Sequence, residues 1–312
     1  MSPAESSPAA KDSSRKPAPI SAGGFEIVVT GGWLKTAGIR SEGYIQGDPA
    51  EAPGQIIADL KSKGVRADVF TFTQRVPDVK PRHAYPMRWD NVAALPILGY
   101  SEWWEKRLNQ DTRRCVRLAS KRGLDVRPVK FDDAFCEGIR QIYNETPIRQ
   151  GRKFWHYGKD LETVKRENAS FVDESEFLGA YLGEELVGFL KMVYVGNTAN
   201  IMQIISKMSH YDKKPMNALM AKAVEICNER KVTHLFYRKY VYHKGLPDSL
   251  TEFKRRNGFE QVDIPRYFVP LTLKGRIAVA LGLQTGVTDL LPAKVVAAGK
   301  SLRSRLNRGR DQ

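Results

Sequence analysis

Hydrophobic positions in this chain change period several times, and each change predicts an element. Phe25-Glu26-Ile27-Val28-Val29 is a short β-like run ended by Gly31-Gly32. Ile56, Ile57 and Leu60 fall at helical spacing within residues 55–63, and Gly64 supplies a C-cap. Residues 69–73 read as a strand. Residues 84–96 are extended but carry Pro86 and Pro96, which predicts an edge strand or connector because proline cannot donate to a ladder. Residues 101–123 read as one helix, with Ser101 at the N-cap, Glu102 and Glu105 in the first turns, and Lys121-Arg122-Gly123 at its end. Trp104, Leu108, Cys115 and Leu118 share one face; Arg113, Arg117 and Lys121 form a basic stripe, and Arg107 and Arg114 a second line.

From Leu124 the rhythm is more regular. Strand-like 124–130 precedes two helical stretches, 132–146 and 160–169. Three β runs follow at 177–182, 186–195 and 199–206, the first two joined by the hairpin-sized turn Gly183-Glu184-Glu185. Residues 215–230 are an apolar-periodic helix with Pro215 near its start. A strand at 234–237, a short helix at 250–256 closed by Asn257-Gly258, and a strand at 260–271 complete the series. The order β-α-α-β-β-β-α-β-α-β over 124–272 implies an α/β fold: a mixed sheet with helices on both faces.

The ends differ in composition. Residues 1–24 are rich in Ser, Pro and Ala and predict a disordered tail. Residues 273–312 are basic, with Leu291, Val295, Leu302 and Leu306 at helical spacing, as in an amphipathic helix for a membrane surface or acidic partner. The expected organisation is therefore a tail (1–24), a small mixed region ending in the basic helix (25–123), the regular α/β domain (124–272) and a basic helical tail (273–312).

Of 312 residues, 42% are hydrophobic and 27% charged, enough to bury a sizeable core. No apolar run is long enough to span a bilayer, and the first residues lack the apolar segment of a secretory signal. A cytoplasmic protein is expected, with peripheral contact to the inner membrane face as an option. Fifty Lys and Arg against 35 Asp and Glu give a net charge of +15, which suits polyanionic partners. Cys115, Cys136 and Cys227 are far apart and read as buried reduced thiols. With no CxxC and five scattered histidines, no metal site is expected.

Three stretches carry a family resemblance. The hairpin Glu176-Phe-Leu-Gly-Ala-Tyr-Leu-Gly-Glu-Glu-Leu-Val-Gly-Phe-Leu190 resembles the paired central strands of GNAT acyltransferases. Ser209-His-Tyr-Asp-Lys-Lys-Pro-Met-Asn-Ala-Leu-Met-Ala-Lys-Ala-Val224 stands where that family places its pyrophosphate loop and helix. Phe253-Lys-Arg-Arg-Asn-Gly-Phe259 resembles its late helix ending in Gly-Phe. The preceding Asp111-Thr-Arg-Arg-Cys-Val-Arg-Leu-Ala-Ser-Lys-Arg-Gly-Leu-Asp-Val126, with Trp103-Trp104 upstream, is similar to a stretch of the Fem-type aminoacyltransferases, which are built from two GNAT-like domains and form peptidoglycan bridges. The resemblance covers about residues 101–272, and residues 25–100 stand where a reduced companion domain would lie.

This resemblance implies a GNAT-like fold and transfer of an acyl or aminoacyl group to an amine, from acyl-CoA or aminoacyl-tRNA as co-substrate with no bound cofactor. It also implies a small-molecule or cell-envelope-precursor acceptor and a possible tRNA partner. Amide formation needs a donor held by its phosphates, a deprotonated amine and a partner for the developing oxyanion. Two departures from the family pattern stand out. The phosphate loop lacks its glycines, leaving Lys207, His210, Lys213 and Lys214 as candidate phosphate ligands. The late helix carries Lys254 where the family has a catalytic tyrosine, so Tyr240 is taken from the Tyr237, Tyr240, Tyr242, His243 cluster as its substitute.

The densest polar-aromatic segment is residues 144–159, joining the first two helices of the α/β domain, where the fold borders its acceptor site. Asn144, Arg149, Gln150, Arg152, Trp155, Tyr157 and Lys159 are the substrate-binding candidates, and Glu145 and His156 the base candidates by residue type. The alternative is a degenerate, non-catalytic GNAT domain that binds RNA or an anionic membrane surface.

Overall fold

The structure, a computed structural model, describes residues 19–242 and 249–285. Strands β1 (Ile20–Ala22), β2 (Phe25–Thr30) and β3 (Thr36–Ile39) lead to helix α1 (Pro53–Ser62), β4 (Val69–Thr73) and β5 (Met87–Pro96). Next come the single turn α2 (Tyr100–Glu102), a π-helical turn (Trp103–Arg107), α3 (Gln110–Lys121) and β6 (Leu124–Pro128). The chain continues through α4 (Asp133–Asn144), a two-strand ribbon of β7 (Ile148–Arg149) and β8 (Arg152–Lys153), and α5 (Leu161–Asn168). Strands β9 (Ser175–Leu182), β10 (Glu185–Val195) and β11 (Thr198–Ser206) precede a 3-10 turn (Met208–Lys213) and α6 (Pro215–Glu229). The described chain closes with β12 (His234–Phe236), α7 (Ser249–Arg256), β13 (Glu260–Pro270), α8 (Leu273–Ala280) and a 3-10 turn (Leu283–Thr285).

All strands but the ribbon join one 11-stranded sheet in the order β1-β2-β3-β4-β13-β5-β12-β11-β10-β9-β6. Helix α6 packs on one face with α3, over a core that includes Leu178, Leu190, Ile204 and Leu219. Helices α4 and α5 cover the other face through Phe135, Ile139, Phe177 and Phe189. A separate core under α1 gathers Ile56, Leu60, Phe70, Phe72 and Tyr267.

The caps explain why the regular half follows its sequence so closely. Asp132 accepts from Phe135 N and Asp160 from Thr163 N, each satisfying an otherwise unpaired N–H at a helix start.

Three expectations are corrected, and the basic stripe is further defined. Residues 84–96 are not an edge: β5 lies between β13 and β12 and pairs antiparallel with both, its two prolines at or just before its ends. The helix over 101–123 is broken, because Leu108 is extended and buried while Asn109 starts a new helix by accepting from Thr112 N at 2.8 Å. Gly23-Gly24 does not close a disordered tail but turns a hairpin, since Ile20 to Ala22 pair with Phe25 to Ile27. The basic stripe is partly structural: Arg113 donates to the carbonyls of Trp104 and Glu105, Arg117 lies over the Trp104 ring, and Arg107 pairs with Glu102 and Glu260. Leu291, Val295, Leu302 and Leu306 lie outside the described residues.

The thiols of Cys136 and Cys227 are buried and pushed up, to about 11 and about 12, by burial. They are inert as nucleophiles at neutral pH.

Candidate active site

The site begins where two neighbouring strands part. β11 and β12 run parallel and pair only over Thr198–Asn200 and His234–Phe236. Beyond Phe236 the chain turns to β5, with Tyr237 N donating to Ala93 O and Ala93 N to Arg238 O. β11 runs on to Ser206 along β10, with a bulge at Met202 between the pairs Ile201–Met192 and Gln203–Lys191.

Three side chains from distant elements take backbone carbonyls of this stretch. Tyr44 Oη donates to Ile201 O at 3.4 Å, Arg238 Nη2 to Met202 O at 3.3 Å, and Arg149 Nη1 to Ser206 O at 2.9 Å. Arg238 holds a left-handed backbone (φ 51°) to reach it, a conformation that costs a non-glycine residue energy and clusters at functional sites. Two buried polar atoms at this end, Arg149 Nε and Ser206 Oγ, have no hydrogen-bond partner among the described residues.

The connection 144–159 closes over the end of β11. Asn144 ties its ends together, donating to Lys159 O at 2.9 Å and accepting from Gly158 N at 2.6 Å. Arg149 also donates to Ile142 O and lies 4.1 Å over the Phe154 ring; burial holds its guanidinium below its ordinary value. Gln150, in a left-handed conformation, accepts from Ser249 Oγ at the start of α7. Arg152 and Tyr157 are exposed. Trp155 is 70% exposed; its ring lies 3.8 Å from the His156 imidazole, and Lys159 Nζ is 3.6 Å from its centroid.

His156 is buried beside the bulge. Its Nε2 lies 3.2 Å from the Gln203 amide nitrogen and its Nδ1 3.4 Å from Lys159 Nζ. Burial, with Lys159 and Arg149 nearby, lowers it to about 3, so it is neutral at pH 7. Gln203 also meets Tyr143 Oη at 2.6 Å, and burial raises that phenol to about 12. The Glu145 carboxylate accepts from Met208 N, Ser209 N and Ser209 Oγ, and pairs with Arg149. Burial opposes ionisation there, but these donors outweigh it and hold Glu145 below the usual carboxylate range.

Tyr240 is half-buried against the α6-side core, and its carbonyl accepts from Thr251 Oγ1. Lys254 is fully buried, donates to Lys239 O, and lies about 5 Å from the Tyr237 and Tyr242 rings (5.1 and 4.9 Å). His243 falls outside the described residues.

In the loop before α6, Lys207 pairs with Glu185, Lys213 with Asp212, and His210 approaches Glu185 at 3.6 Å. Lys214 takes the left-handed conformation (φ 61°) at the α6 N-cap, a position that glycine would adopt without strain.

A cavity of about 780 Å³ opens on the α4–α5 side of the sheet, lined by the loops after β3 and β4 and by β5, β11 and β13. Its floor carries an alternating chain of charges. Glu42 pairs with Arg266, Arg266 with Asp90 at 2.9 Å, and Asp90 with Lys239 at 2.8 Å. Tyr44, Asn200, Phe236 and Arg238 line the wall nearest the parted strands, whereas no residue of 144–159 lines it. The connection and the cavity meet at consecutive residues of β11: Arg238 holds Met202, and His156 holds Gln203.

Sequence reasoning missed Glu42, Asp90, Gln203, Arg238 and Arg266. Gln203 had a signal, as a lone polar side chain inside the apolar run Ile201-Met-Gln-Ile-Ile205. The others come from segments that converge only in the folded sheet.

No family model matches the chain, and no curated protein matches it in sequence. Solved structures do match in shape. The crystal structure of FemX aligns with a TM-score of 0.57 at 12% identity, covering 79% of this chain and 86% of that one. The C-terminal domain of a putative lysylphosphatidylglycerol synthetase from Agrobacterium fabrum gives 0.56 at 12% identity, covering 84% and 86%. L-PGS from Bacillus licheniformis gives 0.53 at 15% identity, covering 84% and 87%. The chain shares the mixed α/β fold of these three structures.

Proposed function

We propose that this chain is an acyl- or aminoacyltransferase that forms an amide on an amine acceptor at the gap between β11 and β12. The carrying observation is the bulged end of β11, whose carbonyls are held by Tyr44, Arg238 and Arg149 and whose Arg149 Nε and Ser206 Oγ are unmatched. Buried donors without partners are costly, and a bound acyl or aminoacyl group would satisfy them. The fold-sharing proteins named for FemX and lysylphosphatidylglycerol synthetase support this reading.

The donor is a polyanion, acyl-CoA or aminoacyl-tRNA. Lys214 at the α6 start, with Lys207, His210 and Lys213 beside it, faces its phosphates. The absence of glycine from this loop favours aminoacyl-tRNA, which is met by side-chain charge along its backbone rather than by a tight nest of N–H groups. The acceptor enters from the 780 Å³ cavity. With so little proton affinity, His156 fits a positioning role through Gln203, and Glu145 locks the rim to the donor loop. Catalysis then rests mainly on orientation of the two substrates.

The test uses hydroxylamine as surrogate amine, with acetyl-CoA or bulk aminoacyl-tRNA as donor, and detects the hydroxamate by mass spectrometry. Donor-dependent hydroxamate that disappears in Arg149→Ala supports the proposal. Steeply salt-dependent tRNA binding with no product from either donor rejects it in favour of a non-catalytic polyanion-binding protein. The ion pairs that already engage Lys207 and Lys213 are the observation favouring that second reading.

A further inference from the structure

Helix α8 is amphipathic in the inverse sense. It turns Gly275, Ala278 and the following Gly282 inward and leaves Leu273, Ile277 and Leu281 at 72%, 55% and 63% exposure. A helix that follows the usual rule buries its large apolar residues and exposes its small ones. The packing here is tight enough to enforce the inversion: a Cβ built on Gly275 would lie 1.9 Å from Asp68 O.

Trp33 extends the same surface. It is 66% exposed, and Lys274 Nζ sits 5.4 Å from its ring. Asp68 holds both pieces in place: it accepts from Lys35 N two residues beyond Trp33, and from Thr272 Oγ1 and Lys274 Nζ at the start of α8. The result is one fixed apolar surface of four large side chains rather than scattered exposed residues.

Its surroundings are basic. Lys35, Arg66, Lys274 and Arg276 are exposed around it. The chain then continues into residues 286–312, which carry six Lys and Arg (Lys294, Lys300, Arg303, Arg305, Arg308, Arg310) and two Asp. Exposed Trp, Leu and Ile beside Lys and Arg, with no helix among the described residues long and apolar enough to span a bilayer, match the chemistry of an interfacial contact.

We infer that the Trp33–α8 face docks on an anionic lipid surface, with Trp33, Leu273, Ile277 and Leu281 entering the headgroup boundary and the surrounding basic residues meeting lipid phosphates. This inference stands apart from the transfer reaction and holds whether or not the chain is an enzyme. Flotation of the full chain with vesicles of phosphatidylcholine alone, or of equimolar phosphatidylcholine and phosphatidylglycerol, tests it. The protein floats with the mixed vesicles at low salt and not with phosphatidylcholine alone. Ile277→Ser/Leu281→Ser, which leaves charge unchanged, lowers the bound fraction about tenfold. Trp fluorescence shifts to the blue on binding, and Trp33→Phe removes the shift.

Absence of flotation with the mixed vesicles overturns the inference. Flotation of the double-serine variant at the wild-type level also overturns it, assigning binding to tail charge alone. A dimer that the same substitutions dissociate, with no vesicle binding, overturns it in favour of a second copy of this chain. Circular dichroism of the variants verifies that the surface substitutions leave the fold intact.

Discussion

Glu145 and Ser209 are joined twice: the carboxylate accepts from the Ser209 backbone N–H at 2.9 Å and from its hydroxyl. One residue follows the end of α4 and the other lies in the loop before α6, so this clasp couples the aromatic connection on one face of the sheet to the loop that leads to the helix on the other. A carboxylate holding three donors is strongly bound as the anion, and the same donors restrain the loop.

Glu145→Gln keeps the shape and loses the charge. Hydroxamate formation falls by about tenfold or more, and urea denaturation shows a loss of about 2 kcal/mol, the usual scale for hydrogen bonds to a charged group. Unchanged activity with a full stability loss would separate the clasp from catalysis.

His156 confers a pH-dependent stability. Its ordinary value is near 6.5 and the folded value is about 3. Between these, the unfolded chain takes up a proton that the folded chain refuses, so stability falls as pH is lowered from about 6.5 toward about 3. The full window corresponds to as much as about 5 kcal/mol. His156→Gln is expected to flatten this dependence, measured by urea denaturation at neutral and acid pH. A variant with the wild-type slope would place the proton elsewhere.

Arg238 spends backbone strain to reach Met202 O. Arg238→Gly relieves the left-handed backbone but releases the bulge. Transfer activity drops by about tenfold or more while the thermal midpoint stays the same or rises, an activity-stability split expected of strain kept for function. A fall in both would make the side chain a structural clamp.

Gly275→Ala is a severe change for one methyl group. The added Cβ collides with the Asp68 backbone, and because that carbonyl also accepts from Leu271 N, it cannot yield cheaply. About 3 kcal/mol of stability is lost by overpacking, measured by thermal denaturation, and vesicle flotation weakens in parallel as α8 is displaced.

Much of the regular half was legible because its signals are local. Asp132 and Asp160 cap their helices, Gly183 turns a hairpin and Asn257-Gly258 stops α7; each acts through a few neighbouring residues, and boundaries from Leu124 to Pro270 lie within about two residues of the expected ones. The break at Leu108 has no local signal because Asn109 lies within an otherwise continuous helical pattern, and its bond to Thr112 N accompanies the burial of Leu108 beside it.

The site was legible by composition and not by arrangement. Residues 144–159 stood out for their charge and aromatics, but nothing local shows that Arg149 reaches Ser206 or that His156 is held neutral by burial and two cations. The cavity was invisible, since Glu42, Asp90, Arg238 and Arg266 come from four separate segments.

By itself, the order of residues determined the secondary elements, the net basic charge and the candidate chemistry, because capping, periodicity and composition act over a few positions. Tertiary structure alone decided that β5 lies inside the sheet and that β13 crosses back to pair with β4 and β5, placing Glu260 opposite Ala94. It also decided that α8 shows its large side chains to solvent. Strand partners far apart in the chain are chosen by which faces can be buried together, and no short segment carries that information.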